Sequence, residues 1–279
     1  MARPPLDGTI LVTGASSGIG AAFARQLAPT ARHLVLVARR AEALAALRDE
    51  LVAAHPALRV TVAPCDLARP AELDALVAQL AADRVEVDVL VNNAGIGDMG
   101  LLDGASRAKL DQMLQLNVLA VTQLTLHLYP GMVARGRGGV LFVSSGFGLV
   151  LFPGFAAYVG TKHYVTGFAD SLRVEAAGTG VCVTQACPGP VRTGFEDGAE
   201  NRLGQPIPPW IMITPECCAR DTLSAFRAGR ALVVPGWLAW FGISLGRLTP
   251  RWLLRLVFAP IAWEMRRRSR AATSPPPPR

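Results

Sequence analysis

Short apolar runs alternate along this chain with longer stretches in which apolar residues recur every three or four positions. Residues 9–13, 34–38, 60–62, 87–91, 140–143, 181–186 and 231–234 are compact and rich in Val, Ile and Leu, the pattern of strands buried on both faces. Between them, 21–27 and 41–55 carry helical periodicity, with Leu44, Leu47, Leu51 and Val52 on one face of the second stretch. Another helix starts near Pro70 and aligns Leu73, Leu76, Val77 and Leu80. A long helical stretch covers 107–134, apart from Pro130-Gly131 near its end. Alternating strand and helix predicts parallel pairing through right-handed crossovers. The expected fold class is α/β, a Rossmann-type doubly wound parallel sheet of about seven strands in a three-layer sandwich. Turns that follow the strands then gather at one sheet edge, where ligands bind in such folds.

Several of those turns carry chemistry. Gly14-Ala15-Ser16-Ser17-Gly18-Ile19-Gly20 joins the first strand to the first helix. Glycines let backbone approach a phosphate, and the helix N-terminus offers free N–H groups and the positive end of its dipole. The second strand ends in Ala38-Arg39-Arg40. An acid there would bond a ribose 2′-hydroxyl, whereas two arginines suit a 2′-phosphate, which favours NADP over NAD. Asp66, beside Leu67, is placed either to bond the adenine amino group or to cap the helix near Pro70. Asn92-Asn93-Ala94-Gly95 closes the fourth strand, and Asn117 sits inside a helix, where Asn is mildly unfavourable.

Tyr158 and Lys162 are spaced i,i+4, which stacks them on one helical face. A phenol beside an ammonium makes a tunable proton donor, since the cation favours the phenolate. The chain has only two Lys against 26 Arg, so a lysine here suggests a need for a compact point charge. Ser145, at the end of the fifth strand, is thirteen residues before Tyr158 and is placed to face the phenol across one ligand oxygen.

Composition narrows the class. With 279 residues, 51% hydrophobic and 18% charged, the chain is globular and rather apolar. Five Cys without a C-x-x-C pair predict reduced, mostly buried thiols of a cytosolic protein. The four His form no metal-ligand spacing, and no metal is expected. No secretory leader opens the chain and no run of about 18 apolar residues occurs. The net charge of +7 resides in the C-terminal stretch, where eight Arg from 247 onward face one acid, Glu264. The rest is balanced, which gives no basic face for nucleic acid.

Together these residues resemble the short-chain dehydrogenase/reductase family over roughly residues 7–236. The likeness rests on Thr13-Gly14-x-x-x-Gly18-Ile19-Gly20, Asn92-Asn93-Ala94-Gly95, Asn117, Ser145, Tyr158-x-x-x-Lys162 and Pro188-Gly189 with Thr193, all in order. The resemblance implies that Tyr158 is the general acid for carbonyl reduction and the base for its reverse. It implies that Lys162 lowers the phenol's pKa and bonds the nicotinamide ribose, and that Ser145 polarises the substrate oxygen. Asn117 would distort its helix and hold a water linking Lys162 to solvent. The implied cofactor contacts are Gly14, Ser16, Ser17, Gly18, Ile19, Gly20, Arg39, Arg40, Asp66, Leu67, Asn93, Ala94, Gly95, Pro188, Gly189, Val191 and Thr193. Among these, Arg39 would carry most of the NADP selectivity, helped by Ser16. The family also implies a homodimer or homotetramer.

The substrate side is apolar. Phe147 and Phe152 follow Ser145, and Phe195 lies where the family keeps a mobile lid, so a hydrophobic ketone, aldehyde or alcohol is expected. Reduction of a 3-oxoacyl thioester and a non-catalytic NADP-binding sensor are the alternatives. Residues 237–279 form a basic, Trp-rich extension with a Pro-rich end, distinct from the domain of 1–236. It covers the pocket or packs on a partner subunit, lies in a membrane interface through 237–270, or is partly disordered; the sequence leaves these three readings open. The expected location is the cytoplasm, with or without peripheral membrane attachment.

Overall fold

The computed structural model describes residues 2–193 and 208–273. Its strands are β1 (Thr9–Thr13), β2 (His33–Ala38), β3 (Arg59–Pro64), β4 (Val89–Asn92), β5 (Gly138–Val143), β6 (Val181–Ala186) and β7 (Leu232–Val233). They form one parallel sheet in the order β3-β2-β1-β4-β5-β6-β7. The helices are α1 (Gly18–Leu27), α2 (Ala41–Ala54), α3 (Pro70–Ala82), α4 (Arg107–Leu114), α5 (Val121–Ala134), α6 (Ala156–Glu175), α7 (Pro215–Arg227), α8 (Trp237–Leu248) and α9 (Arg251–Thr273).

Alternate strand residues point to opposite faces, so the sheet supports two cores. Ile10, Val12, Leu34, Leu36, Val89 and Val91 pack with Phe23, Leu27, Leu44, Leu47, Leu223 and Phe226 of α1, α2 and α7. Leu11, Val35, Val37, Leu90, Val140 and Phe142 pack with Leu73, Leu76, Leu80, Leu124, Val165 and Leu172 of α3, α5 and α6. Each fully buried Leu or Phe contributes about 1.5–3 kcal/mol relative to exposure, which fixes the three layers. The chain reverses direction across the sheet between β1 and β4, opening a crevice at the C-terminal strand ends.

The elements match the expected ones with small shifts. β4 begins at Val89, because Asp88 turns its carboxylate onto the Thr9 amide at 2.8 Å. The stretch 107–134 is not one regular helix. A π-helical segment, Gln115–Ala120, separates α4 from α5, and α5 runs through Pro130 to Ala134. All five cysteines are free, four of them buried.

The C-terminal helices fold back over the sheet edge. A Cβ at Gly146 would lie 2.5 Å from Ile243 Cδ1, and one at Gly189 would lie 2.6 Å from Ala239 Cβ. The inner side of α8 therefore rests on the backbone of the turns after β5 and β6. The Phe258 ring of α9 stands 5.2 Å from that of Phe152, and Arg266 donates to Asp103 at 2.6 Å.

Candidate active site

The Gly loop forms a cradle held by one hydroxyl. Thr13, at the end of β1, donates through Oγ1 to the Val91 carbonyl at 3.1 Å and accepts from the amides of Asn93 and Ala94, each at 2.9 Å. Asn93 Nδ2 donates back to the Thr13 carbonyl at 2.8 Å. The turns after β1 and β4 are thus tied together. Gly14 and Gly18 have φ of +66° and +55°, which side chains rarely adopt. At Gly20 a Cβ would lie 2.2 Å from the Gly14 carbonyl oxygen, so helix α1 starts only because that position is bare. Its N-cap, Ser17, makes no side-chain cap, which leaves the first amides directed into the crevice. Thr193 reaches this loop from the turn after β6, with Cγ2 3.0 Å from the position of a Gly18 Cβ.

Arg39 and Arg40 are both exposed at the end of β2. Arg40 donates to Ser16 Oγ at 3.2 Å and approaches the Ser16 carbonyl at 3.4 Å, whereas Arg39 makes no hydrogen bond or ion pair among the described residues. Asp66 does not cap α3, whose N-cap is Arg69. It accepts instead from the Ala68 amide at 3.1 Å and pairs with Arg69 at 3.7 Å, beside buried Leu67.

Helix α6 carries the polar centre. Tyr158 and Lys162 are both buried against β5, and the lysine Nζ lies 5.7 Å from the phenol ring centre. Lys162 donates to the Val143 carbonyl at 3.0 Å. Ser145 Oγ accepts from the Phe147 amide at 3.2 Å and lies near enough to the Tyr158 hydroxyl to favour its ionised form. Asn117 is wholly buried in the π-helical segment. Its Oδ1 accepts from the Ile96 amide at 3.0 Å, and its Nδ2 donates to the Ile96 carbonyl at 2.8 Å and to Thr161 Oγ1 at 3.2 Å. Thr161 in turn donates to the Tyr158 carbonyl at 2.8 Å. A Cβ at Gly95 would meet Asn117 Oδ1 at 3.2 Å and Lys162 Nζ at 3.5 Å, so the turn after β4 closes this corner. Asn117 thus points inward from a π-helical segment, not to solvent.

The electrostatics differ from the simple expectation. Burial pushes the Tyr158 phenol up to about 12, with the Ser145 hydrogen bond opposing it. Burial also lowers Lys162 to about 8. The cation does not dominate the phenol here, because its ammonium is bonded to Val143 and sits over the ring, not at the hydroxyl. The lysine is thereby poised to gain or lose its proton near neutral pH.

Apolar walls stand beside these groups. Phe147, Phe152 and Phe155 pack with one another, and Phe147 and Phe155 approach the Tyr158 ring at 6.3 and 6.5 Å. Pro188, Gly189 and Val191 lie on the turn after β6, and Val191 bridges to Ile213. Phe195 falls outside the described residues. Thr13, Thr161 and the inward residues of α8 and α9 were not singled out for a role from sequence. A hydroxyl ending an apolar strand, and another inside the Tyr158–Lys162 interval, were the available signals. A separate surface cleft of about 640 Å³, lined by Arg32, His33, Arg59, Arg84 and Glu86, lies at the opposite sheet edge and contains none of these groups.

This constellation, at the carboxyl ends of the strands, defines a nucleotide-dependent oxidoreductase architecture. Residues 8–203 match the short chain dehydrogenase family, and the chain belongs to the short-chain dehydrogenase/reductase oxidoreductases. It is 34% identical over 231 residues to glycine betaine reductase ATRR of Emericella nidulans, covering 81% of this chain but 18% of that protein. It is 34% identical over 215 residues to the NADP-dependent 3-hydroxy acid dehydrogenase YdfG of Salmonella typhi, covering 74% of this chain and 84% of the relative. A short-chain dehydrogenase from Sphingobium yanoikuyae, solved with NADPH, superposes with a TM-score of 0.75 at 28% identity over 86% of this chain and 93% of that one.

Proposed function

We propose that this chain uses NADP(H) to interconvert a hydrophobic ketone or aldehyde and the corresponding alcohol. The observation that carries the proposal is the convergence of Ser145, Tyr158 and Lys162 in one buried corner, set next to a glycine cradle and against a wall of phenylalanines. The cradle fits a dinucleotide: Gly14, Gly18 and Gly20 clear the backbone for a pyrophosphate, with Ser16, Ser17 and Ile19 around it. Arg40, bonded to Ser16, and the unengaged Arg39 suit a 2′-phosphate, in line with the NADP-dependent YdfG relative. Asp66 and Leu67 would flank the adenine side; Asn93, Ala94 and Thr193 lie against the Gly loop, Gly95 lies against Asn117 and Lys162, and Pro188, Gly189 and Val191 would pass beside the nicotinamide.

When bound, the cofactor supplies or accepts the hydride. The remaining chemistry belongs to the chain's own side chains. Ser145 holds the substrate oxygen, and Tyr158 gives it a proton on reduction and takes it back on oxidation. Lys162 steadies the phenolate left behind, and Asn117 fixes the backbone turn against which the lysine rests. Phe147 and Phe152 exclude water and favour apolar substituents.

A panel of carbonyl compounds graded in size and polarity, followed by NADPH absorbance with NADH as control, tests this reading. Turnover is expected with apolar ketones and with NADPH over NADH, and replacing both Arg39 and Arg40 by Ala should erase the preference. Tyr158→Phe should lower kcat by about 10² to 10⁴ while NADPH still binds. A chain whose function survives Tyr158→Phe intact would instead be a nucleotide-binding sensor.

A further inference from the structure

Helix α8 is apolar on two opposite sides. Ala239, Ile243 and Gly246 (i, i+4, i+7) face inward onto Gly189, Gly146 and Val150. Trp237, Phe241, Leu245 and Leu248 (i, i+4, i+8, i+11) form the opposite stripe with Trp240 beside it, and all are exposed, Trp237 at 76% and Leu248 at 85%. Helix α9 repeats the arrangement. Phe258 and Met265 turn inward, while Trp252, Leu256 and Trp263 lie on the outer side with 62% or more of their surface exposed. A solvated helix buries its one apolar stripe and shows polar residues outside; these two helices show a second apolar stripe.

Charge identifies the occupant of that stripe. Arg266 pairs with Asp103, and Arg267 and Arg268 share Glu264. Arg247, Arg251 and Arg255 are exposed and make no ion pair among the described residues; Arg255 stands one residue before Leu256 of the outer side, and Arg251 lies at the start of α9. A second copy meeting this face across a two-fold axis would gather these arginines from both copies into one interface, while Glu264, the one acid on the two helices, is already shared by Arg267 and Arg268. A membrane-spanning role is also out of reach, because no helix among the described residues is long and apolar enough to cross a bilayer. Tryptophan and arginine around an apolar stripe match the boundary of an anionic lipid layer, where the rings enter the acyl edge and the guanidinium groups meet headgroup phosphates.

We infer that the outer face of α8 and α9 docks this protein on an anionic lipid surface, with Trp237, Trp240, Phe241 and Trp252 inserted and Arg247, Arg251 and Arg255 on the headgroups. Their inner faces rest on the turns beside Ser145, so docking turns the covered side of the cleft toward the lipid. The inference rests on exposure and charge, not on the proposed reaction.

The full chain, sedimented with vesicles of phosphatidylcholine alone or with phosphatidylglycerol in equal parts, tests it. Binding to the anionic vesicles is expected, with a blue shift of tryptophan fluorescence. The triple variant Arg247→Gln, Arg251→Gln, Arg255→Gln should weaken that binding roughly fivefold per arginine. The variant Trp237→Ser, Trp240→Ser, Trp252→Ser should lower it about tenfold or more, with circular dichroism unchanged. A wild-type chain that stays in the supernatant with anionic vesicles overturns the inference. So does binding indifferent to both variants, or a dimer in light scattering that the tryptophan variant dissolves while vesicles are ignored.

Discussion

Helix α6 and the α8–α9 pair break the same rule in opposite directions. In α6, Tyr158, Thr161, Lys162 and Thr166 are buried, so polar groups sit inside. In α8 and α9, four tryptophans and several leucines are outside. A buried polar group is costly unless it is bonded, and on α6 partners are close at hand: Thr161 bonds Asn117 and the Tyr158 carbonyl, Lys162 bonds Val143, and Thr166 bonds Ser144. Exposed apolar side chains cost little singly, but a continuous stripe of them is a surface awaiting contact. The inward violation makes a reaction centre, and the outward one makes a place to dock.

The contrast is sharpest in stability, where the two violations should respond differently. Asn117→Leu strips partners from the part-buried Ile96 amide and carbonyl and from buried Thr161. Leaving such groups unpaired costs about 1–3 kcal/mol each, so a loss of roughly 4 kcal/mol is expected in chemical denaturation. A change below about 1 kcal/mol would mean that the corner is wet and the contrast overstated.

Lys162→Met should act the other way. Burial holds Lys162 near about 8 against an ordinary 10.5, so between those pH values the unfolded chain binds more protons than the folded one. That difference makes the lysine's contribution to stability rise with pH across the window and burdens the fold below pH 8, by roughly 3 kcal/mol. The Met variant sheds this burden but leaves the Val143 carbonyl without its ammonium, at about 1 kcal/mol. A net gain near 2 kcal/mol at pH 7, shrinking toward pH 10.5, is the expected outcome of denaturation series at several pH values. A variant less stable than wild type at every pH would refute the burden.

The smallest effect belongs to the outside. Trp240→Ser on α8 should change stability by less than about 0.5 kcal/mol in the absence of lipid. A larger loss in a thermal melt would show that the outer stripe is packed, and the comparison would fail on that side.

Much of this was legible in the chain. Every strand was readable from its Val, Ile and Leu content; β1, β2, β4, β5 and β6 are buried on both faces, and even the part-buried edge strands β3 and β7 keep apolar residues. Spacing and turn position singled out the Gly loop, Ser145 and Tyr158 with Lys162, because local geometry alone brings Tyr158 above Lys162. Three things depended on tertiary structure. The reach of Arg40 to Ser16 depends on how the end of β2 turns. The upward shift of Tyr158 depends on burial, which i,i+4 spacing cannot report. The tail's two apolar sides were present in the sequence, but which side faces in depends on Gly146 and Gly189, more than 45 residues earlier.

Those two glycines carry one last implication. Ile243 and Ala239 sit where any side chain at 146 or 189 would have to go, so the turns after β5 and β6 are covered by a part of the chain that contributes nothing to the sheet. Part of what borders the reaction centre is consequently encoded apart from the residues that handle the proton. A descendant could trade its tail for another and accept new molecules while the proton-handling apparatus stayed untouched.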